Sequence, residues 1–182
     1  MTLKGRRAIV SGASKGLGLA IAHELVREGT QVRICARSAE EVDSAVAELG
    51  ELAGGRAVDV READQLASFI EWAGEDMGGI DILVNNAGGA HPGTFETLSE
   101  DALLADFNIK VLSWFRAVKD ALPWLKRSDA PRVINIGSVF AGSPDYRFLS
   151  TSVNRAAGLN LTRTLAQELA QYSILVNIVN IG

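Results

Sequence analysis

One cysteine, Cys35, stands in 182 residues, so no internal disulfide can form and a cysteine-based zinc site lacks its ligands. Its apolar surroundings read as those of a buried, inert thiol. Basic charge is also scarce: 18 Lys and Arg against 22 Asp and Glu leave a net charge of −4. That balance lacks the basic footprint of a nucleic-acid binder. No apolar run reaches membrane-spanning length, and Met1–Arg7 leads into a strand-like run without the apolar core of a signal peptide. A cytoplasmic protein that binds neither membrane nor nucleic acid, and no metal, is the expectation. What is present, 47% hydrophobic and 22% charged residues, excludes a disordered, collagen-like or disulfide-stapled chain. The length suits a single domain over residues 1–182, able to bury roughly 70% of its unfolded surface.

Short β-rich runs alternate with helical patterns. Strands are predicted at Arg7–Ser11, Gln31–Ala36, Arg56–Val60, Ile80–Asn85, Arg132–Ile136 and Ile174–Val179. Helices are predicted at Leu17–Glu28, with Leu17, Ile21 and Leu25 as its stripe, then Ala39–Leu49 and Asp64–Met77, the last closed by Gly78-Gly79. Leu98–Leu125 carries one short and one long helical pattern, and Ser152–Tyr172 a long helix. Continuous Val/Ile runs suit strands buried on both faces, as in parallel sheets. The fold class is therefore α/β: a Rossmann-like, doubly wound parallel sheet of about six strands with helices on both faces.

Ser11–Gly18 follows the first strand and opens the first helix, with glycines at 12, 16 and 18. That context suits a phosphate resting on backbone N–H groups at a helix start. The spacing is G-x-x-x-G-x-G. Asn85-Asn86-Ala87-Gly88 closes the fourth strand, Asp59-Val60 ends the third, Ser138 ends the fifth and Asn177 lies in the sixth. With these motifs in this order, the chain resembles the short-chain dehydrogenase/reductase family over its whole length. The resemblance implies dinucleotide contacts at Gly12, Ser14, Lys15, Gly16, Leu17, Gly18, Asp59, Val60, Asn86, Ala87, Gly88 and Arg155.

An acidic residue at the end of the second strand would select NAD. Ala36 stands there, Arg37 follows, and Lys15 adds a second cation inside the glycine turn. Arg37 can fork onto a 2′-phosphate, which favours NADP over NAD; the alternative is two solvated surface charges.

The resemblance also implies hydride transfer between nicotinamide and a carbonyl or alcohol carbon, with Ser138 binding the reacting oxygen and Asn108 supporting a water path. The family's Tyr and Lys of Y-x-x-x-K are absent. Aligning Leu161–Ala166 with the family's helix puts Thr151 at the Tyr position and Arg155 at the Lys position. A threonine hydroxyl is far less acidic than a phenol and reaches less far. Arginine keeps the charge but does not surrender a proton. Tyr146, in the preceding loop, is the other candidate donor. His91, just past Gly88, is either an acid near neutral pH or a solvent-exposed loop residue. His23, off the stripe of the first helix, reads as exposed.

Family members continue past the sixth strand with a substrate-covering segment, so the sequence reads as a fragment or as a natural short form. Phe107, Val111, Trp114, Phe115 and Val118 spread wider than one helical stripe, which suits packing on two sides. In the family the long helices after the fourth and fifth strands pack against their counterparts, so the resemblance implies a homodimer, or a tetramer if the chain is a fragment; the alternative for this helix is packing against the sheet alone. The leading expectation is an NADP-dependent oxidoreductase of small carbonyls or alcohols with an altered proton donor. The alternative is a dinucleotide-binding module, a sensor or partner subunit, without turnover.

Overall fold

The computed structural model describes residues 2–182; Met1 lies outside the described residues. Six strands, β1 Arg7–Ser11, β2 Gln31–Ala36, β3 Ala53–Ala57, β4 Ile82–Asn85, β5 Arg132–Ser138 and β6 Leu175–Ile181, pair in the order β3-β2-β1-β4-β5-β6. Every pairing is parallel. Six α-helices connect them: α1 Gly16–Arg27, α2 Ala39–Leu49, α3 Ala63–Met77, α4 Glu100–Phe107, α5 Ser113–Leu125 and α6 Leu149–Leu169. This is the expected Rossmann-like α/β sheet. The strand order reverses between β1 and β4, which opens a crevice at the carboxyl ends of the strands.

Strand side chains alternate, so each strand feeds two cores. Ala8, Val10, Val32, Ile34, Ile82 and Val84 pack against α1 and α2. Ile9, Cys35, Leu83 and Val133 face the opposite way and pack against α3, α5 and the end of α6. Each large aliphatic side chain buried this way contributes roughly 1.5–3 kcal/mol of transfer free energy. Cys35 is fully buried, and burial pushes its thiol up to about 12, as an inert thiol requires. No helix among the described residues is long and apolar enough to cross a membrane.

Several boundaries differ from the sequence reading. The third strand is Ala53–Ala57, not Arg56–Val60. Its register against β2, Val32 opposite Ala53 through Ala36 opposite Ala57, draws in the glycines that a propensity reading rejects. Glycine is needed there because a Cβ on Gly55 would stand 2.6 Å from Val42 of α2. Asp59 and Val60 therefore lie in the loop after β3. Strand β4 begins at Ile82, β5 runs on to Ser138, and β6 is displaced by one residue at its start and two at its end. Helix α1 exposes Leu17 and buries Ala22 and Leu25. Helix α6 begins at Leu149, which puts Thr151 in its first turn.

The segment after Leu98 is a composite. Helix α4 passes into a π-helical turn, Asn108–Leu112, before α5 starts. Such wide turns often mark functional sites. On α5, Trp114 and Val118 are buried, as is Val111 just before it, while Phe115 is exposed.

Candidate active site

A cleft of about 1180 Å³ lies along the carboxyl ends of the strands. Its two ends differ in chemistry. At one end the first turn meets the end of β4. Gly12 and Gly16 have φ of +64° and +59°, a region open to glycine at little cost. A Cβ on Gly12 would stand 2.8 Å from the Ala87 backbone, and one on Gly18 would overlap the Gly12 carbonyl oxygen. At Gly16 a Cβ would meet no atom of the described residues within 4 Å, so the space above the turn is open. Asn86 Nδ2 donates to the carbonyl oxygens of Ser11 (3.0 Å) and Gly12 (2.9 Å), and Ser11 Oγ accepts from the backbone N–H groups of Asn86 and Ala87.

Lys15 holds the cap position of α1 but does not cap it. Its Nζ pairs instead with Glu41 Oε1 at 2.8 Å, and Ser14 Oγ donates to Glu41 Oε2 at 3.0 Å. Those two bonds, with the nearby Arg37 charge, hold the Glu41 carboxyl below its usual range. Arg37 lines the cleft, exposed, between Glu41 and Asp59. Asp59 takes a forked bond from Arg61, which holds its carboxyl low as well. Leu17, Val60 and Gly88 complete this end.

The other end is buried. Ser138, at the end of β5, lines the cleft, and its Oγ accepts from the Phe140 N–H. Thr151 and Arg155, one turn apart on α6, line it too and are 2% and 6% exposed. Arg155 Nη1 donates to the Ile136 carbonyl at 2.6 Å, while its buried Nε has no hydrogen-bond partner among the described residues. Burial pushes this guanidinium below its usual value.

Lys110, which the sequence reading did not single out, is fully buried beneath Thr151. Its Nζ donates to Thr151 Oγ1 at 2.9 Å and sits 2.7 and 2.9 Å from the two oxygens of Asp106. Burial pushes the ammonium below its usual pKa, partly offset by Asp106. Burial alone would raise Asp106, but hydrogen bonds from Lys110, Ser150 and Asn154 leave it below the usual carboxylate range. The available signal was the spacing: an Asp and a Lys four apart, with the Lys set between Ile109 and Val111.

Two candidates are not brought to this end. Asn108 accepts from Arg116 Nη1 at 2.8 Å and points its Nδ2 toward the Arg61 carbonyl. It braces the loop after β3 and is not among the residues lining the cleft. Within the π turn Lys110 and Val111 are the buried residues, and Asn108 is only half-buried. Tyr146 is 77% exposed on its loop and does not line the cleft. The turn around it is set by Arg147 folding onto Asp145. His91 is exposed at the cleft wall, but its Nδ1 lies 2.9 Å from Asp106 Oδ1, so it is more than a loop residue. His23 is only partly exposed and bonds Glu48.

Residues 6–182 match the family model of short-chain dehydrogenases. The chain is 31% identical to a 2,3-dihydro-2,3-dihydroxybenzoate dehydrogenase of Bacillus subtilis, over 99% of this chain and 70% of that protein. A short-chain oxidoreductase of Pseudomonas aeruginosa, described as containing an atypical catalytic centre, superposes in its apo form with a TM-score of 0.96 at 32% identity. That superposition covers all of this chain and 71% of the other. An NADPH-bound structure described in the same words gives 0.93 at 33% identity, over 97% and 71% of the two chains. Sequence motifs, sheet order and these likenesses agree: the chain belongs to the short-chain dehydrogenase family of oxidoreductases.

Proposed function

We propose that this protein transfers hydride between NADP(H) and a small carbonyl or alcohol, with Thr151 and Lys110 in place of a tyrosine as the proton source. The open space over Gly16, the close approach of Gly12 and Gly18 to the β4 end, and the unpartnered Arg155 Nε fit a dinucleotide laid along the cleft. Gly12, Ser14, Gly16, Leu17 and Gly18 would hold its pyrophosphate, Asp59 and Val60 its adenine, Asn86, Ala87 and Gly88 the turn beneath it, and Arg155 its ribose. Lys15 and Arg37 support a 2′-phosphate, and therefore NADP, through forked or point-charge contacts. When bound, the dinucleotide supplies or accepts the hydride.

The chain's own residues manage the proton. Ser138 Oγ–H donates to the substrate oxygen, where negative charge develops. Thr151 accepts from Lys110 and from the His91 backbone N–H, at 2.9 and 3.1 Å, which leaves its own hydroxyl proton to give. An aliphatic hydroxyl is a poor acid by itself. A buried ammonium 2.9 Å away stabilises the alkoxide and replaces its proton. Arg155 stays charged and adds to that field.

The buried Lys110–Thr151 contact is the observation that carries this reading. Replacing Lys110 with Met is expected to lower NADPH-dependent turnover of a carbonyl panel by about 100-fold or more, while NADPH still quenches tryptophan fluorescence. Undiminished turnover would reject the assignment. Ser138→Ala should also lower turnover, by roughly 100-fold.

A second reading, dinucleotide binding without turnover, is favoured by the exposure of Tyr146, which leaves no phenol behind Thr151. Firm NADPH binding with no turnover across the panel would select it. A homodimer through α5 and α6 is supported by exposed Phe115 and Val153, and sedimentation velocity tests it.

A further inference from the structure

Lys110 is 0% exposed, so a proton it gives up cannot be replaced directly from water. Its contacts are Thr151 on one side and Asp106 on the other. The Asp106 carboxylate is also buried. Its Oδ2 is filled by Ser150, Asn154 and Lys110, and its Oδ1 is shared by Lys110 and His91 Nδ1. Among these partners only His91 reaches solvent, with 58% of its side chain exposed. The charged groups around the path are Asp106 from α4, Lys110 from the π turn and Arg155 from α6.

We propose that His91 and Asp106 form a proton relay that reloads Lys110 from solvent through the wall of the cleft. The inference rests on the reading of Lys110 as the proton source for Thr151. In the direction of carbonyl reduction, the Thr151 O–H bond breaks as the substrate O–H bond forms. A Lys110 N–H bond then breaks to restore the Thr151 hydroxyl, leaving a neutral amine. His91 releases its Nδ1 proton to Asp106 Oδ1, and the same oxygen, 2.7 Å from Lys110 Nζ, passes it on. His91 Nε2 takes a proton from solvent as the Nδ1 proton leaves, and the exposed ring then turns outward and exchanges with water to regain its Nδ1–H. Alcohol oxidation runs the sequence backwards, so charge balances in both directions. The depressed pKa of Lys110 suits a group that must release and recover a proton.

His91 and Asp106 act through Lys110 and are positioning residues for its proton. The test reads that proton directly. In protein labelled with nitrogen-15 lysine, the buried Lys110 ammonium gives its own resonance, and its hydrogen exchange with water is measured by NMR. His91→Phe keeps a ring over Asp106 but removes both nitrogens. The relay predicts exchange slowed on the order of 100-fold in that variant. In His91→Ala, added imidazole should restore fast exchange. Unchanged or faster exchange in His91→Phe, as a purely covering role requires, would overturn the relay. Steady-state reduction of the carbonyl panel by NADPH separates the two proposals. Slowed exchange with no wild-type turnover keeps the relay and sinks the reductase reading. Wild-type turnover with unchanged exchange does the reverse.

Discussion

The two ends of the cleft both hold opposite charges side by side and treat them in opposite ways. At the dinucleotide end, Lys15 pairs with Glu41 and Arg61 with Asp59 at the surface, beside the exposed Arg37; the Lys15 side chain is 76% exposed in its pair with Glu41. Solvent and salt screen such pairs, so they add little stability and rearrange readily for an anionic ligand. At the proton end, Lys110 and Asp106 are 0% and 3% exposed. A buried pair is strongly coupled to its geometry, because removing one partner strands the other. The first arrangement suits a site that must accept and release a charged ligand, and the second a site that must hold a proton path still.

The largest expected effect tests that difference. Lys110→Ala should lower the free energy of unfolding by about 3–5 kcal/mol, since it strips the buried Asp106 carboxylate of its ammonium partner. Urea denaturation measures it, and Lys15→Ala in the same assay should leave the midpoint in place. Equal losses would erase the contrast. The pH dependence sharpens it. Asp106 titrates lower in the folded chain than in the unfolded one, so its contribution is complete above the ordinary carboxylate range. It fades as pH falls through that range toward the folded value. Asp106→Asn should flatten the acid limb of the stability curve, whereas Glu41→Gln should leave it nearly unchanged.

Next in size, Arg37→Asp should reverse the order of NADPH and NADH affinity, a change of roughly 10- to 100-fold for one charge-assisted contact. Fluorescence titration reads it, and an unchanged order would reject the role given to Arg37. Glu41→Gln should tighten NADPH only a few-fold, because Lys15 and Ser14 are freed from a partner that solvent already screens. The smallest effect is none: Tyr146→Phe should leave turnover unaltered, and a collapse would restore Tyr146 as the donor.

The dinucleotide end was legible because it is local. Ser11–Gly18 encodes a turn whose backbone demands are met within eight residues, and strand, turn and helix follow one another along the chain. The proton end was legible only in part. Ser138, Thr151 and Arg155 followed from aligning their segments with the family's motifs, and all three line the cleft, whereas Asn108, placed the same way, turns toward the loop after β3 while Lys110 of the same turn lies buried beneath Thr151. Nothing in the composition of residues 100–125 marks a π turn, and one widened turn redirects every side chain after it. Likewise, the third strand sits on Gly54 and Gly55 because α2 presses on it, a contact between segments that propensity does not contain.

By itself the sequence determined the alternation of strands and helices, the parallel sheet and the glycine turn, since these follow from hydrophobic period and backbone freedom over short distances. Only the tertiary structure decided that Lys110 lies under Thr151, that Asp106 joins it to His91, and that Tyr146 stays in solvent. Those contacts link α4, the π turn, α6 and the loop after β4, and their pairing is set by burial, which drives a charge to the nearest opposite charge that packing leaves within reach.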